Sequence, residues 1–409
     1  KNAVVVTPTA SGKTEAIIVP LIERMLSEKW DGLSILYITP TRALVNDMYY
    51  RINEQLNYLN VSSDYKTGDK PNINTKKLVN LLITTPESLD SLLCRHSDMF
   101  LNLKAIIIDE IHFLDNTYRG DQIRILLRRL KLFINQDLNI YLLSATVNNP
   151  EDLGNRYLQN FEIIVSKDKR EFEITYLKDL SEAIIYVKKE NLKKILIFCN
   201  KRVSVEKFTK RCEELWGINK TVMHHGRLSK SIREEAEIFM KESSSGVCIS
   251  TMTLEIGIDI GNIDAIILAE PPYTVSSLMQ RIGRGNRRTY KNRIFALYET
   301  QDELNFLKIM FDLAQNYSIE DPDYSFDYSV IVQQIFSIFF GKPNGVDDEY
   351  FRNIFEGIVP FQEFNLILNK LYSDGWIEKK VGKWYPLTKL MDMGRSEERR
   401  VGKECRSRW

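Results

Sequence analysis

The chain has 409 residues, of which 56 are Lys or Arg and 55 are Asp or Glu. This length allows two or three domains, and no run approaches the ~20 apolar residues that a membrane-spanning helix needs. The near-zero net charge does not indicate a polyanionic partner for the whole molecule, so any such site is expected to be a local stripe. The four cysteines before residue 395, namely Cys94, Cys199, Cys212 and Cys248, lack CxxC spacing. They therefore argue against a zinc ribbon or iron–sulfur cluster and favour small buried side chains in a reducing cytoplasm.

Both ends of the chain lead us to expect a fragment of a longer protein. The first residues already form an apolar run that leads into a glycine-containing loop. The last segment, residues 395–409, reads RSEERRVGKECRSRW and resembles the translated product of a sequencing adaptor. Without it, 50 basic and 52 acidic residues remain. We therefore exclude this segment from the prediction of the fold.

Apolar runs alternate with amphipathic helical segments as far as residue 298, which is typical of parallel sheets covered by crossover helices. The first series predicts strands near residues 3–6, 34–39, 81–84, 104–108, 139–143 and 161–165. A second series follows the charged stretch 167–171, with strands near residues 194–199, 221–223, 247–250, 265–268 and 293–298. We therefore expect an α/β fold with two lobes, residues 1–166 and 167–305.

Beyond residue 300 the pattern changes. Residues 330–340 and 361–371 are expected to be helical, and a hairpin-like KKVGKWY follows around Gly382. Helices followed by a small β-wing predict a partial winged-helix domain over residues 306–394. A helical cap with a purely structural role is the alternative.

The segment TPTASGKT, residues 7–14, directly follows an apolar run. A strand that ends in small residues before a helix begins directs backbone N–H groups and the helix N-terminus towards one anion site. In this pattern the lysine reaches the β- and γ-phosphates and the following threonine binds Mg²⁺. The predicted nucleotide contacts are Thr9, Ala10, Ser11, Gly12, Lys13 and Thr14.

A second acidic motif, DEIH at residues 109–112, follows another apolar run. Asp109 emerges where a magnesium shell needs a carboxylate, and Glu110 beside it can orient or deprotonate water. Neither motif is specific alone. Together they indicate a nucleoside triphosphatase whose metal ligands are Thr14 and Asp109.

The order of further motifs narrows this class. The first series carries TPTRAL (39–44), YKTGD (65–69), TTPESL (84–89) and SATV (144–147). The second carries IFCNKR (197–202), HHGRLSKSIREE (224–235), STMTLEIGIDIGNID (250–264) and QRIGRGNRR (280–288). These motifs resemble those of superfamily 2 helicases of the DEAD/DEAH-box type, and within them the Lhr-like (large helicase-related) branch. The resemblance covers residues 1–300 and implies two RecA-like lobes that use ATP and Mg²⁺.

The phosphate loop of one lobe leaves the far side of the γ-phosphate uncovered, and an arginine from elsewhere can neutralise the charge that develops there. By the resemblance, Arg284 and Arg287 are these arginine fingers, and they approach ATP only when the lobes close. Gln280 would contact the γ-phosphate or the attacking water. Gly257 and Asp259 would lie near the ribose. A solvated helix face is the alternative for the two arginines.

The resemblance also implies residues that couple the lobes and residues that hold nucleic acid. Hydroxyls, glycines and backbone amides suit the second task because they contact phosphates without reading bases, whereas ordinary turn and cap chemistry is the alternative. The coupling residues are His112, Ser144, Ala145 and Thr146. The nucleic-acid contacts are Thr41, Arg42, Thr67, Gly68, Thr85 and Pro86 in the first lobe, and Asn200, Lys201, His225, Gly226 and Thr251 in the second.

The function that the resemblance implies is an ATP-dependent helicase or translocase that moves 3′ to 5′ on single-stranded DNA or a DNA–RNA hybrid. DNA is favoured over RNA, no membrane partner is expected, and the oligomeric state is open, with a monomer compatible. An RNA-remodelling ATPase of the DEAD-box type is one rival, against which DEIH in place of DEAD counts. A non-catalytic nucleic-acid-binding scaffold with a helicase fold is the other, against which the intact Lys13, Asp109, Glu110 and Arg284 count. A role in DNA repair and a role in defence both remain open.

Overall fold

A computed structural model describes residues 1–8, 11–134, 137–166, 171–255, 260–285, 291–316 and 323–396; residues 171, 291 and 393–396 are described by their backbone only. Within these ranges no helix combines the length and the apolar character that crossing a membrane requires.

Residues 2–165 form the first lobe, a parallel sheet with helices on both faces. Its strands are β1 (Asn2–Val6), β2 (Ile35–Ile38), β3 (Ser63–Lys66), β4 (Leu81–Thr84), β5 (Ala105–Ile108), β6 (Asn139–Ser144) and β7 (Phe161–Val165). Its helices are α1 (Lys13–Ser27), α2 (Arg42–Tyr58), α3 (Pro86–Arg95), α4 (Tyr118–Lys131) and α5 (Pro150–Tyr157). The strand order is β3-β4-β2-β5-β6-β1-β7, and all neighbours are parallel.

Alternate residues of the central strands enter two separate cores. Leu36 and Ile38 belong to the core on one face of the sheet, and Ile35 and Tyr37 to the core on the other. Strands that are buried on both faces have near-continuous apolar sequences, which is why five of these strands were predictable. The edge strand β7 was also predicted from its apolar residues, although it is largely exposed. The polar edge strand β3 has no such sequence and was missed.

The second lobe repeats this architecture. Its strands are β8 (Glu171–Leu177), β9 (Lys194–Phe198), β10 (Thr221–His224), β11 (Gly246–Ser250), β12 (Ala265–Leu268) and β13 (Lys291–Leu297). Its helices are α6 (Leu180–Lys189), α7 (Arg202–Trp216), α8 (Lys230–Glu242), α9 (Val275–Ile282) and α10 (Gln301–Gln315). The strands are parallel in the order β10-β11-β9-β12-β13-β8, and Leu307, Met310 and Phe311 of α10 pack into the core of this lobe. The predicted α/β fold with two parallel sheets is confirmed.

A third, mainly helical part follows. Its elements are α11 (Ser329–Gly341), β14 (Val346–Asp347), α12 (Asp348–Phe355), α13 (Phe361–Ser373), β15 (Ile377–Lys380), β16 (Lys383–Pro386) and α14 (Thr388–Ser396). The two predicted helices and the hairpin are confirmed, and β16 lies between β14 and β15 in an antiparallel sheet. The winged-helix interpretation and the boundaries at residues 166, 305 and 394 stay predictions, and residues 397–409 lie outside the described part.

The third part is fastened to the first lobe by a buried polar seam. Arg129 of α4 donates to Asp90 of α3 at 2.7 Å, and to Gln334 and Ser337 of α11 at 2.8 Å each. Gln334 returns a hydrogen bond to the other Asp90 oxygen at 2.7 Å. Because one carboxylate and one guanidinium bind the same two side chains of α11, the three helices share one charge-assisted network.

The segment that leads into α11 also lies on the first lobe. The Tyr324 hydroxyl donates to Asp121, and the backbone N–H of Asp327 donates to the same carboxylate at 2.9 Å. The guanidinium groups of Arg124 and Arg156 lie 5.3 and 5.2 Å from the centroid of the Tyr324 ring. Burial raises the pKa of Asp121, while these hydrogen bonds act in the opposite direction. The chain therefore returns from the second lobe to the first before the third part begins.

We predict that Arg129→Met destabilises the protein far more than Arg119→Met. Both arginines join α4 to α3, but the Arg129–Asp90 pair is buried, whereas the Arg119–Glu87 pair is largely exposed. Removing one partner of a buried pair costs about 3–5 kcal/mol, and an exposed pair contributes about 0–1 kcal/mol. The free energy of unfolding in urea measures both changes. Equal losses of unfolding free energy in the two variants would show that the buried Arg129 network stabilises the protein no more than the exposed pair does.

Candidate nucleotide site and interlobe contacts

The predicted nucleotide residues meet at the carboxyl edge of the first sheet. Strands β5, β6 and β1 are adjacent, so the segments that follow them leave the sheet side by side. The N–H of Thr7 donates to the carbonyl of Ser144 at 3.0 Å, which extends the β1–β6 pairing past the strand ends. The phosphate loop, DEIH and SATV are therefore neighbours in space.

The loop before α1 has the geometry of an anion site. Gly12 is the N-cap of the helix and has φ 81° and ψ 18°, a left-handed conformation that glycine adopts without strain. Lys13 and Thr14 are the first two helical residues and are both buried, and Ser11 donates to the Thr7 hydroxyl at 2.8 Å. The free N–H groups at this helix start favour a negatively charged ligand. The predicted contacts Thr9 and Ala10 lie outside the described residues.

The acidic motif lies directly against this helix start. Lys13 Nζ is 2.9 Å from Glu110 Oε2, and both side chains are less than 10% exposed. Asp109 accepts hydrogen bonds from the Tyr37 hydroxyl at 2.5 Å and from the Glu110 N–H at 2.9 Å. Burial, followed by the charge of Glu110, raises the pKa of Asp109, and Lys13 opposes this shift. One ammonium thus faces two desolvated carboxylates.

This donor set fits a divalent cation that is shared with phosphates. A Mg²⁺ ion in such sites takes one or two protein oxygens and completes its shell with water and phosphate oxygens. The described residues contain no cluster of three or more His, Cys, Asp or Glu side chains that could hold an ion alone. Thr14 and Asp109, the predicted metal ligands, provide one hydroxyl and one carboxylate whose raised pKa a cation would reverse.

A chain of hydrogen-bonding side chains leads from this site to the second lobe. His112 Nδ1 lies 3.5 Å from Glu110 Oε2 and 3.0 Å from Ser144 Oγ. The Thr146 N–H donates to that same serine oxygen at 3.3 Å, and Thr146 Oγ1 lies 3.4 Å from Oγ of Ser276 in α9. Burial, reinforced by the Lys13 charge, lowers the pKa of His112 to about 3, so the imidazole is neutral at physiological pH. Ala145 lies between the two hydroxyl residues and is half-buried.

Helix α9 of the second lobe, in which the QRIGRGNRR motif begins, continues this chain. Gln280 donates to Ser276 Oγ at 3.3 Å and is itself buried. Arg281 donates to Glu255 at 2.7 Å and to Asn200 at 2.9 Å.

Arg284 is buried and donates to the backbone carbonyl of Glu255 at 2.7 Å. The first predicted arginine finger therefore lies within the second lobe's own network in this conformation. The second finger, Arg287, and the predicted ribose contacts Gly257 and Asp259 lie outside the described residues.

The predicted nucleic-acid contacts of the first lobe cluster at the same sheet edge. Thr41 and Thr85 cap α2 and α3 by accepting from the N–H groups three residues later, at 3.3 and 3.4 Å, and Pro86 opens α3. The helix-cap role, which was the alternative to nucleic-acid contact for these residues, is thus present. Both caps also place a helix N-terminus at this edge, which favours phosphate contact.

The TGD segment lies beside the start of α2. Thr67 is buried and accepts from the N–H groups of Asp69 and Lys70 at 3.3 Å each. Arg42 is half-exposed and pairs with Asp69 at 2.6 Å, and its guanidinium lies over Gly68, where a Cβ would meet it at 2.6 Å. Gly68 is exposed, and the Arg42 guanidinium lies beside its backbone.

The contacts predicted in the second lobe divide into exposed and buried groups. Lys201 and Gly226 are exposed, whereas Thr251 and His225 are buried, and burial lowers the pKa of His225. The side chain of Asn200 donates to the Pro271 carbonyl at 2.8 Å and accepts from Arg281. Its amide thus holds the second lobe together in this conformation.

Sequence reasoning missed three residues of this site: Tyr37, Glu255 and Ser276. Tyr37 lies in an apolar strand, where a tyrosine is expected to belong to the hydrophobic core. Glu255 lies inside the predicted motif 250–264 but gained no role, because its partner Arg281 is 26 residues away along the chain. Ser276 lies outside the predicted motifs, and its partner Thr146 in the first lobe is 130 residues away. A polar residue within a buried run was the only available signal for Tyr37.

Two family models match the chain. The DEAD/DEAH box helicase model matches residues 1–153, and the helicase conserved C-terminal domain model matches residues 175–289.

The chain is also similar to curated helicases. The ATP-dependent helicase Lhr-Core of Methanocaldococcus jannaschii is 30% identical over 430 residues, covering 93% of this chain and 50% of that protein. Lhr-Core of Saccharolobus solfataricus is 30% identical over 365 residues, covering 78% of this chain and 42% of that protein. The chain spans about half the length of these relatives.

Solved structures share the fold. The Mycobacterium smegmatis helicase Lhr, bound to ssDNA and AMP-PNP, matches with a TM-score of 0.80 at 23% identity, over 99% of this chain and 58% of that chain. The DUF1998 helicase MrfA bound to DNA matches with a TM-score of 0.77 at 22% identity, over 98% and 56%. With its motifs at the edges of two RecA-like sheets and with these relatives, the chain belongs to the DEAD/DEAH-box helicase family, on its Lhr-like branch.

Proposed function

We propose that this chain is an ATP-dependent nucleic-acid helicase or translocase that moves 3′ to 5′ on single-stranded DNA. The observation that carries the proposal is the buried cluster of Lys13, Glu110 and Asp109 at the start of α1. A lysine and two carboxylates enclosed at a helix N-terminus bind a magnesium triphosphate and activate water beside it.

In the conformation described, the two central catalytic groups neutralise each other. When a triphosphate enters, Lys13 moves its ammonium to the β- and γ-phosphates. Glu110 then loses its cation and becomes free to orient the attacking water. Mg²⁺, held by Thr14 and Asp109, would neutralise phosphate charge. The triphosphate itself must therefore separate Lys13 from Glu110 before Glu110 can act on water. Without a triphosphate, the ion pair with Lys13 keeps Glu110 from acting as a base.

The second lobe supplies the remaining positive charge. Arg284 and Arg287 are proposed as the fingers that stabilise the transferring phosphoryl group when the lobes close. Gln280 is proposed to contact the γ-phosphate or the water, and its bond to Ser276 connects it to Thr146 of the first lobe. Closure and hydrolysis are thereby linked through side chains that exchange hydrogen bonds.

Single-stranded DNA is the proposed track because the similar Lhr and MrfA structures are described as bound to ssDNA and to DNA. A yeast Dbp5 structure bound to RNA matches with a lower TM-score of 0.63 over 77% of this chain. An RNA-remodelling activity is therefore the rival. ATP hydrolysis stimulated by single-stranded RNA, and not by single-stranded DNA, would select it.

We predict that Lys13→Ala abolishes ATP hydrolysis, because it removes the cation that binds the phosphates and leaves two buried carboxylates unopposed. Phosphate release in the presence of single-stranded DNA measures the effect. Lys29→Ala, at an exposed lysine just after α1, is the control and should keep wild-type turnover. Wild-type hydrolysis by the Lys13 variant would refute the site.

Arg284→Ala should leave ATP binding to the first lobe largely intact while hydrolysis falls by ~10³-fold or more, the scale of arginine fingers. Because Arg284 also donates to the Glu255 carbonyl, the thermal unfolding midpoint must be measured beside turnover. An equal loss of ATP binding, or unfolding of the second lobe, would make Arg284 a structural residue.

Ser276→Ala tests the link between the lobes. Deleting this hydroxyl removes a partner of both Thr146 and Gln280, and one neutral hydrogen bond is worth about 0.5–1.5 kcal/mol. We expect DNA-stimulated hydrolysis to fall about 2- to 10-fold while ATP affinity stays unchanged. Ser231→Ala, at an exposed serine of α8, should have no effect. An unchanged stimulated rate in the Ser276 variant would remove this serine from the coupling path.

A further inference from the structure

Three tyrosines and a lysine form an exposed aromatic surface on the first lobe, which we call the tyrosine platform: Tyr49, Tyr50, Tyr65 and Lys70. The Tyr49 and Tyr65 rings are 4.7 Å apart, and the Tyr50 ring lies 5.5 Å from Tyr49 in an edge-on arrangement. Tyr50 is 69% exposed. The hydrogen bond that the Tyr65 hydroxyl donates to Tyr50, together with burial, raises the pKa of Tyr65 to about 12. In the platform, the exposed Tyr50 ring therefore lies beside the Tyr49 and Tyr65 rings, which contact each other.

The charges around the platform are compensated. Lys70 pairs with Asp64, and its ammonium lies 4.2 Å from the centroid of the Tyr65 ring. The neighbouring Asp69 pairs with Arg42 at 2.6 Å. Because each carboxylate has a cation beside it, the surface does not repel a phosphate chain.

The platform continues the surface on which nucleic-acid contacts are predicted. Arg42 and Tyr49 are seven residues apart on α2, two helical turns, so they lie on the same face about 10 Å from each other along the axis. Lys70 lies two residues after Gly68, and Tyr65 lies three residues before Gly68. A strand that contacts the backbone at Gly68 therefore reaches the platform within a few nucleotides.

We propose that the tyrosine platform is a base-stacking site, in which an unpaired nucleobase of the single strand stacks on the Tyr50 ring as the strand passes Arg42 and Gly68. The inference rests on the proposed function, which supplies the strand. Aromatic rings stack with every base, so the site is tolerant of sequence, as a translocating enzyme requires. Tyr49, Tyr65 and Lys70 act as positioning residues that orient Tyr50.

The test compares variants of α2. Tyr50→Ala should weaken binding of a single-stranded DNA oligonucleotide, measured by fluorescence anisotropy, by roughly 5- to 100-fold, the loss expected for one base–aromatic stack. Tyr50→Phe keeps the ring and should bind like the wild type. Tyr58→Ala removes an 81% exposed tyrosine at the far end of the same helix and should also bind normally.

A single abasic nucleotide, moved along the oligonucleotide, locates the stacked base. Wild-type binding should fall at one position, and Tyr50→Ala should show no further loss there, because the stack is already gone. Equal affinities of the wild type and Tyr50→Ala, or additive losses at every position, would overturn the inference while leaving the proposed function intact. Failure of the wild type to bind any oligonucleotide, with no stimulation of ATP hydrolysis, would instead overturn both.

Discussion

The structure depends on one desolvated charge cluster, in which Lys13 opposes both Glu110 and Asp109. The parallel sheet creates it, because β1 and β5, on either side of β6, deliver α1 and DEIH to one edge. Two buried carboxylates face one ammonium, so negative charge remains in a site that water does not solvate. This is why the pKa of Asp109 is raised. Such a site gains most from a ligand that brings its own cation. The excess of buried negative charge is therefore unfavourable without a ligand and is compensated by a triphosphate that brings Mg²⁺.

Among the described residues, the side chains that lead from the cluster to the second lobe are neutral. His112, with a pKa near 3, carries no charge at physiological pH, and Ser144, Thr146 and Ser276 follow it as hydroxyls. Such a chain responds to geometry rather than to protonation, since each hydroxyl can donate or accept as its neighbours move. Meanwhile the seam at Arg129 fixes the third part to the first lobe. In the proposed closure, the first lobe and the third part would therefore act as one body and the second lobe as the other.

The agreement between sequence and structure follows burial. Strands that are covered on both faces are apolar runs in the sequence. The edge strand β3 is mostly polar and the edge strand β8 alternates polar with apolar residues, so both were missed. Motif residues of the first lobe could be placed because the strand ends are predictable. The partners Glu255 and Ser276, and the seam between Asp90, Arg129 and α11, could not, because tertiary packing brings together residues far apart in the chain.

The proposed role of Arg284 as an arginine finger requires it to leave its present surroundings. Glu255 is buried and accepts from Arg281, which also holds Asn200, so α9 is tied to the interior of its lobe. A helix held this way does not swing alone, so the proposed closure would carry the lobe as a rigid body. Arg284 meanwhile donates to a neutral carbonyl of the same lobe. A phosphate oxygen is the stronger acceptor because its bond to the guanidinium is charge-assisted, so approach of the lobes favours exchange of one partner for the other.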